Sequence, residues 1–309
     1  MTRIQQHPAA DPIVYLQRLL FLHANGYPAA VYRRFLESLA SESPAKSIEV
    51  IPIAILETAL STPAVLRWRR MREQVLERLA AATAGDTAGA STTALVGHSM
   101  GGYLALMAAS HQLPVRHPVV LIDSPIPAFG RAALLSLAQR TGLIHRVGPA
   151  PVAARRRNTW RDLDEAKAFF ASKSFVQRWA PGVLDDFVAH ALRDRTGNYD
   201  ANITLRIPRE EERDIYAHLP HRDATRALHR LRAAGVPVGM VAGRRSAEMK
   251  MAGWQANRRL FGGRFVTVDT GHLVPLEAPQ ACAEAVMSLL REAVPNSLDT
   301  HRRATIAGV

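Results

Sequence analysis

Residues Thr92 to Ala109 read TTALVGHSMGGYLALMAA. Ala94, Leu95 and Val96 form a short apolar run of the kind that becomes a buried strand, and it stops at Gly97. Tyr103 to Ala109 then reads as a buried helix. Between them Gly97-His98-Ser99-Met100-Gly101 matches G-x-S-x-G, a sharp strand-to-helix turn that presents a serine. A side chain at Gly97 or Gly101 would collide with backbone in so tight a turn, and Gly102 lets the helix approach the sheet. The helix start aims free N–H groups at the space above Ser99, where negative charge would develop on an acyl oxygen. Ser99 is the candidate nucleophile; the plainer reading, a Gly-Ser turn arisen by chance, leaves the flanking strand and helix unexplained.

The chain around this turn has 309 residues, enough to bury a full core, with 48% apolar and 21% charged residues. The single Cys282 excludes an internal disulfide, fits a reducing compartment, and reads as a buried structural thiol among apolar helical neighbours. Met1 to Gln6 lacks the apolar core of a signal peptide, so a cytoplasmic location is expected. Thr87 to Val115 carries no charged residue, yet Gly, Ser, Thr and His interrupt it throughout. A buried strand and helix account for it better than a membrane span.

The net charge is +12, and of the 39 basic residues only Lys46, Lys167, Lys173 and Lys250 are lysines, leaving 35 arginines. These are spread along the chain, and the run Arg155-Arg156-Arg157 lacks the interleaved aromatics of a single-strand binder. Solvated surface is therefore expected rather than a nucleic-acid site, with attraction to acidic surfaces or anionic substrates left open. There is no Cys/His metal spacing and no Gly-rich phosphate loop, so no metal and no cofactor is expected. Nothing in the sequence speaks to oligomeric state.

Taken in order, strands are predicted at Ile13–Leu22, Ile48–Leu56, Pro118–Ile122, Val236–Ala242 and Phe265–Val268, besides the one before Ser99. Helices are predicted at Ala29–Leu39, Arg67–Ala82, Asp223–Ala234, Met251–Phe261 and Pro279–Ala293. From about Pro125 to Leu219 strand signals vanish, and Trp160–Ser172 and Gly182–Arg193 read as helices, the first opened by a Thr159-x-x-Asp162 box. Alternating strands and helices imply an α/β fold with a mostly parallel, doubly wound sheet covered on both faces. Loops at the carboxyl ends of such strands share one crevice. His23, Ser99, Asp123 and His272 all follow predicted strands, so their convergence is expected.

This assembly resembles the α/β-hydrolase family, in the type with a helical cap inserted after the sixth strand of the family's sheet. The resemblance runs from about Leu19 to Ala293 and rests on three motifs in order. They are His23-Ala24-Asn25-Gly26-Tyr27-Pro28, Gly97-His98-Ser99-Met100-Gly101-Gly102 and Gly271-His272-Leu273-Val274-Pro275-Leu276-Glu277. It implies a core of residues 1–124 and 220–295, a cap of 125–219 and a loose tail of 296–309. It implies Ser99 as nucleophile, His272 as its base, and the backbone N–H groups of Asn25 and Met100 as oxyanion hole. The chemistry agrees, since a serine hydroxyl needs a histidine to take its proton and return it to the leaving group. His98 is expected to pack beneath the turn and His23 to order its own loop.

Two departures from the family pattern bear on the rest. Where many relatives carry the third, acidic member after the seventh strand, this chain reads Val241-Ala242-Gly243-Arg244-Arg245-Ser246. Glu248 lies two residues on, where Arg244 and Arg245 could claim it as a surface ion pair. Asp123 matches an alternative acid position and is favoured here, against a plainer reading as helix cap or turn residue; Asp269 is too close in sequence to His272. The second departure is Glu57–Thr62, which replaces a common Asp-x-x-Gly-x-Gly loop and shapes the cleft. The expected activity is hydrolysis of a carboxylic ester of a small molecule with an apolar portion. Thioester, lactone or carbon–carbon cleavage on the same residues, or a catalytically silent binding protein, are the alternatives. One or two of the aromatics Trp160, Phe169, Phe170, Phe175, Trp179 and Phe187 are expected to face the cleft.

Overall fold

The computed structural model describes residues 15–42, 48–84, 91–195 and 202–293, so the expected tail of 296–309 lies outside the described residues. Its strands are β1 (Tyr15–Leu22), β2 (Glu49–Pro52), β3 (Ser91–His98), β4 (Val119–Ile122), β5 (Thr159–Trp160), β6 (Leu192–Asp194), β7 (Ile203–Leu205), β8 (Val238–Gly243) and β9 (Phe265–Val268). Six of them form one sheet in the order β2-β1-β3-β4-β8-β9, with every neighbouring pair parallel. The chain runs from β1 out to the edge at β2 and returns on the other side at β3. The carboxyl ends of β1 and β3 thus flank the point where the winding reverses, the place where a crevice opens in such sheets.

The connecting helices are α1 (Arg33–Glu42), α2 (Arg67–Thr83) and α3 (Met100–His111). Period-2 alternation divides the strand side chains between two cores. Leu19, Phe21, Val96, Val120, Ile122 and Val241 pack with Phe35 and Leu39 of α1. Leu20, Leu22, Leu95, Val119, Leu121 and Met240 pack with Met71 and Val75 of α2 and Leu104 of α3. Each such side chain taken from water stabilises the fold by about 1.5–3 kcal/mol. Because the sheet is held on both faces, its central strands read as unbroken apolar runs. From Met100 to Ser110 every residue of α3 is buried, which is why Thr87–Val115 carries no charge.

Beyond β4 the chain leaves the sheet through α4 (Phe129–Arg140), α5 (Pro149–Arg155), α6 (Leu163–Ala171), α7 (Val183–Ala191) and α8 (Arg209–Ala217). It returns through α9 (His221–Ala233), β8, α10 (Ala247–Ala252), α11 (Trp254–Phe261), β9, α12 (Val274–Glu277) and α13 (Pro279–Ala293). The insertion is not free of strands: β5, β7 and β6 form a small antiparallel sheet. At two or three residues each, they are too short to display an alternation. Thr159 lies in β5 and caps nothing. The α6 cap is Asp162, which accepts the Glu165 N–H at 2.8 Å, while the Glu165 carboxylate accepts the Arg161 N–H at 2.7 Å. The helix predicted from Trp160 therefore starts at Leu163.

The strand expected over Ile48–Leu56 also shortens, to Glu49–Pro52. As an edge strand it is partly exposed, and Pro52 has no N–H to extend the ladder. Gly101 shows how tightly the centre is assembled: a Cβ there would lie 2.2 Å from the Leu22 carbonyl oxygen, and one at Gly97 2.3 Å from the Gly101 backbone. Because backbone cannot yield as a side chain does, Gly101→Ala should cost about 3 kcal/mol of stability. Urea unfolding checks this, and a loss under about 1 kcal/mol would contradict so close an approach of α3 to β1.

Candidate active site

The site is assembled where β1, β3, β4 and β8 end. Ser99 sits between β3 and α3 with φ 52° and ψ −111°, a conformation that side-chain-bearing residues rarely adopt. Two backbone bonds hold it there: the Ser99 N–H donates to the Ile122 carbonyl at 2.9 Å, and the Gly102 N–H to the Ser99 carbonyl at 3.1 Å. The turn thrusts Oγ out of the sheet, where it lies 3.1 Å from Nε2 of His272.

Nδ1 of the same imidazole lies 2.9 Å from Oδ1 of Asp123. Asp123 follows β4 directly, at φ 41°, and is fully buried. A buried carboxylate is costly unless its lone pairs are used, and three donors converge on this one. Gly243 N–H reaches Oδ2 at 2.6 Å, Ser246 Oγ–H reaches Oδ1 at 2.7 Å, and the His272 ring supplies the third. It caps no helix, since α4 begins only at Phe129. Glu248 is 44% exposed and its Oε2 lies 3.8 Å from the same Nδ1. The arginines expected to claim Glu248 do not: Arg245 pairs with Asp269 at 2.6 Å.

Burial pulls the His272 pKa down, but the hydrogen bond and charge of Asp123, then the charges of Glu248 and Glu277, outweigh it and leave the group raised above 6.5. Glu277 also fixes the loop, accepting the Gly271 N–H at 2.9 Å and pairing with Arg178 at 3.3 Å.

His98 is buried beneath the turn and bridges two parts of the site. Tyr32 Oη accepts the Ala24 N–H at 3.1 Å and donates to His98 Nδ1 at 2.8 Å. His98 Nε2–H is then the donor to the His272 carbonyl at 3.0 Å. Burial holds His98 well below the usual histidine range, so the ring is neutral and this single tautomer satisfies both contacts. His23 ties its loop to the next one: Nδ1–H donates to the Ala24 carbonyl at 2.8 Å and Nε2 accepts the Leu56 N–H at 2.6 Å. Its pKa is lowered to about 4 by burial. The Asn25 side chain donates to the Glu212 carbonyl of α8 at 3.1 Å, and Glu212 in turn pairs with Arg156 at 2.6 Å. In the replaced loop Thr58 Oγ1 donates to Glu211 of α8 at 2.9 Å. The insertion therefore grips both the loop after β1 and the loop of Glu57–Thr62.

A cavity of about 280 Å³ opens over Ser99 and His272, with Asn25 and Met100 in its wall. Its apolar lining comes from Trp68, Tyr103, Leu135, Ile144, Ile215 and Leu219, and its polar rim from Arg131 and Glu248. None of the six aromatics expected to face the cleft lines it. They stack on one another and on Tyr27, as in Phe170–Phe187 at 4.7 Å and Tyr27–Phe187 at 5.7 Å, and join the insertion to the core beneath. Sequence spacing gives their helices but not the side they turn to the sheet. Ser246 and Glu277 were missed as parts of the site. The one signal was position, Ser246 standing where relatives carry an acid. Among the described residues no three His, Cys, Asp or Glu side chains are grouped to hold a metal ion, and no helix is long and apolar enough to cross a membrane.

Residues 19–285 match the family described as the alpha/beta hydrolase family. The chain belongs to the alpha/beta hydrolase family. Solved structures of similar fold include a peroxisomal alpha-beta-hydrolase of Saccharomyces cerevisiae, at TM-score 0.66 and 17% identity over 97% of this chain and 85% of that one. An E-2-(acetamidomethylene)succinate hydrolase aligns at TM-score 0.63 and 17% identity, over 91% of this chain and 92% of that one. The thioesterase domain from the curacin biosynthetic pathway aligns at TM-score 0.64 and 17% identity, over 88% and 91%. A search of curated protein sequences found no match. At these identities the neighbours speak to the fold of this alpha/beta hydrolase and not to its substrate.

Titration supplies a check on the histidine's surroundings. By NMR, the His272 imidazole should titrate with a midpoint above 6.5, and Glu248→Gln should lower that midpoint by removing a nearby negative charge. A midpoint at or below 6.5, or one unmoved by Glu248→Gln, would contradict the assigned balance of burial and charge.

Proposed function

We propose that this alpha/beta hydrolase is a serine hydrolase that cleaves a carboxylic ester through an acyl-enzyme on Ser99. The observation that carries the reading is the chain of contacts from Ser99 Oγ to His272 Nε2 and from His272 Nδ1 to Asp123. With Asp123 holding the proton on Nδ1, Nε2 presents its lone pair to the serine hydroxyl. As Oγ bonds to the ester carbonyl carbon, its proton passes to Nε2, and the imidazolium so formed faces the buried Asp123 carboxylate. The backbone N–H groups of Asn25 and Met100 receive the carbonyl oxygen as it gains charge. Collapse breaks the bond to the alcohol, which leaves with the proton from Nε2. Water then repeats the sequence on the acyl-enzyme, releasing the acid and restoring Ser99.

Asp123 is the acid in this reading. It lies 2.9 Å from Nδ1 against 3.8 Å for Glu248, it is buried, and three donors aim it. Glu248 contributes charge at a distance. The apolar lining supports a small-molecule substrate with an apolar acyl or alcohol portion. Residues 125–219 act as the cap, because Leu135, Ile144, Ile215 and Leu219 all come from that segment. The reaction draws on no cofactor, and a cytoplasmic setting suits a chain whose single cysteine, Cys282, is a free buried thiol.

Kinetics on a short p-nitrophenyl ester test the assignment. Ser99→Ala should lower kcat by about 10⁴-fold or more, Asp123→Asn by about 10³–10⁴-fold, and Glu248→Gln by less than about tenfold. Retained turnover in Ser99→Ala would overturn the nucleophile. A large loss in Glu248→Gln with little in Asp123→Asn would move the acid, and a wild-type chain inert towards every ester would favour a silent binding protein. Because the base must be neutral, kcat/KM should fall as pH drops through the raised His272 midpoint.

A further inference from the structure

Between Asp123 and Asp162 the sequence holds no acidic residue and seven arginines. Three of these are paired, Arg156 with Glu212, Arg157 with Glu165 and Arg161 with Asp162. The other four, Arg131, Arg140, Arg146 and Arg155, are exposed and form no ion pair among the described residues. The same segment exposes large apolar side chains. Phe129 is 93% exposed, Leu134 68% and Leu137 56%, and Leu143, Val147 and Val152 lie open beyond them.

These residues follow a helical order. At about 100° per residue, Phe129, Ala133 and Leu137 form one stripe of α4 with Leu134 beside it. That stripe faces outward, for Leu135 on the opposite side of α4 packs inward against Ile144 and Ala217, and the neighbouring Ser136 is buried with its hydroxyl 2.9 Å from His221 Nε2. A surface helix normally turns its apolar face inward, and an apolar patch rimmed by charge of one sign marks an interaction surface. The patch also borders the cavity over Ser99. Arg131 and Leu135 of α4 line that cavity, as does Met251, whose carbonyl Arg131 binds.

We propose that the outer face of α4 and the following turn and α5 docks on an anionic lipid surface, the apolar stripe entering the headgroup boundary and Arg140, Arg146 and Arg155 meeting the lipid charge. Apolar side chains beside unpaired cations, with no acid among them, are complementary to an anionic membrane interface. Nucleic acid would leave Phe129 and Leu137 against a polar backbone with nothing to cover them. A second copy of this chain would bring these three arginines against their own counterparts across a two-fold axis. Docking in this orientation turns the rim of the cavity towards the membrane.

Co-sedimentation of the full chain with vesicles tests this, comparing phosphatidylcholine alone with phosphatidylcholine containing roughly a third phosphatidylserine. Binding should be at least about tenfold tighter to the anionic vesicles and should weaken steeply towards about 0.5 M salt. At roughly fivefold per arginine, the combined Arg140→Gln, Arg146→Gln, Arg155→Gln variant should lose about a hundredfold. Phe129→Ser with Leu137→Gln should lose at least about tenfold. Each variant should keep the parent's thermal midpoint, and Leu134→Gln provides a milder apolar change if the double variant does not. No preference for anionic vesicles, or variants that bind as the parent does, would overturn the proposal. So would a parent dimer that Phe129→Ser with Leu137→Gln dissociates, or binding of RNA without binding of vesicles.

Discussion

A carboxylate with no exposure to water has to be met by donors, and the way Asp123 is met orders the whole rim of the sheet. Its three donors come from the end of β8, from the cap of α10 and from the loop after β9. Those elements are separated by 120 to 149 positions from Asp123 in the chain. Unpairing one donor leaves a buried charge short of a partner, which typically costs more than an ordinary hydrogen bond. The short strand β4, buried along its whole length between β3 and β8, provides the rigid mount.

The same economy appears on the other side of the site. Neutral His98 joins the Tyr32 hydroxyl to the His272 backbone, and Tyr32 also receives the Ala24 N–H of the loop that carries Asn25. One buried histidine thus fixes the spacing between the loop after β1 and the loop bearing His272. The insertion reinforces both ends of this arrangement, its Arg178 pairing with Glu277 of the His272 loop. Its α8 receives the Asn25 amide and the Thr58 hydroxyl, while its aromatic cluster takes in Tyr27 two residues beyond Asn25. Cavity walls, loop positions and core packing are therefore features of one connected structure.

Much of this was legible in the sequence because the central elements are buried on all sides. An unbroken apolar strand, two glycines that leave no room for a Cβ, and a fully buried helix permit few other readings of Thr92–Ala109. The convergence of Ser99, His272 and Asp123 followed from their places after strands in a parallel sheet. What escaped was decided by tertiary contacts. The strands of the insertion are too short to carry a period, and the capping of α6 by Asp162 depends on where β5 ends. The six aromatics gave no sign of which way they turn, and they turned to the core. Ser246 could be placed but not interpreted, since its role depends on a carboxylate 123 positions away. The surplus of arginine was visible in composition, but which four stand unpaired beside an apolar helix face required the fold.

The central claim is that Ser99 is made nucleophilic by His272 under the control of a buried Asp123. Reaction with a fluorophosphonate followed by peptide mapping addresses it most directly, because the reagent needs an activated serine and no guess about substrate. The account predicts a single adduct, on the peptide carrying Ser99, that forms about 10³-fold more slowly or not at all in Asp123→Asn. An adduct on another serine, or none on the folded wild-type chain, would contradict it.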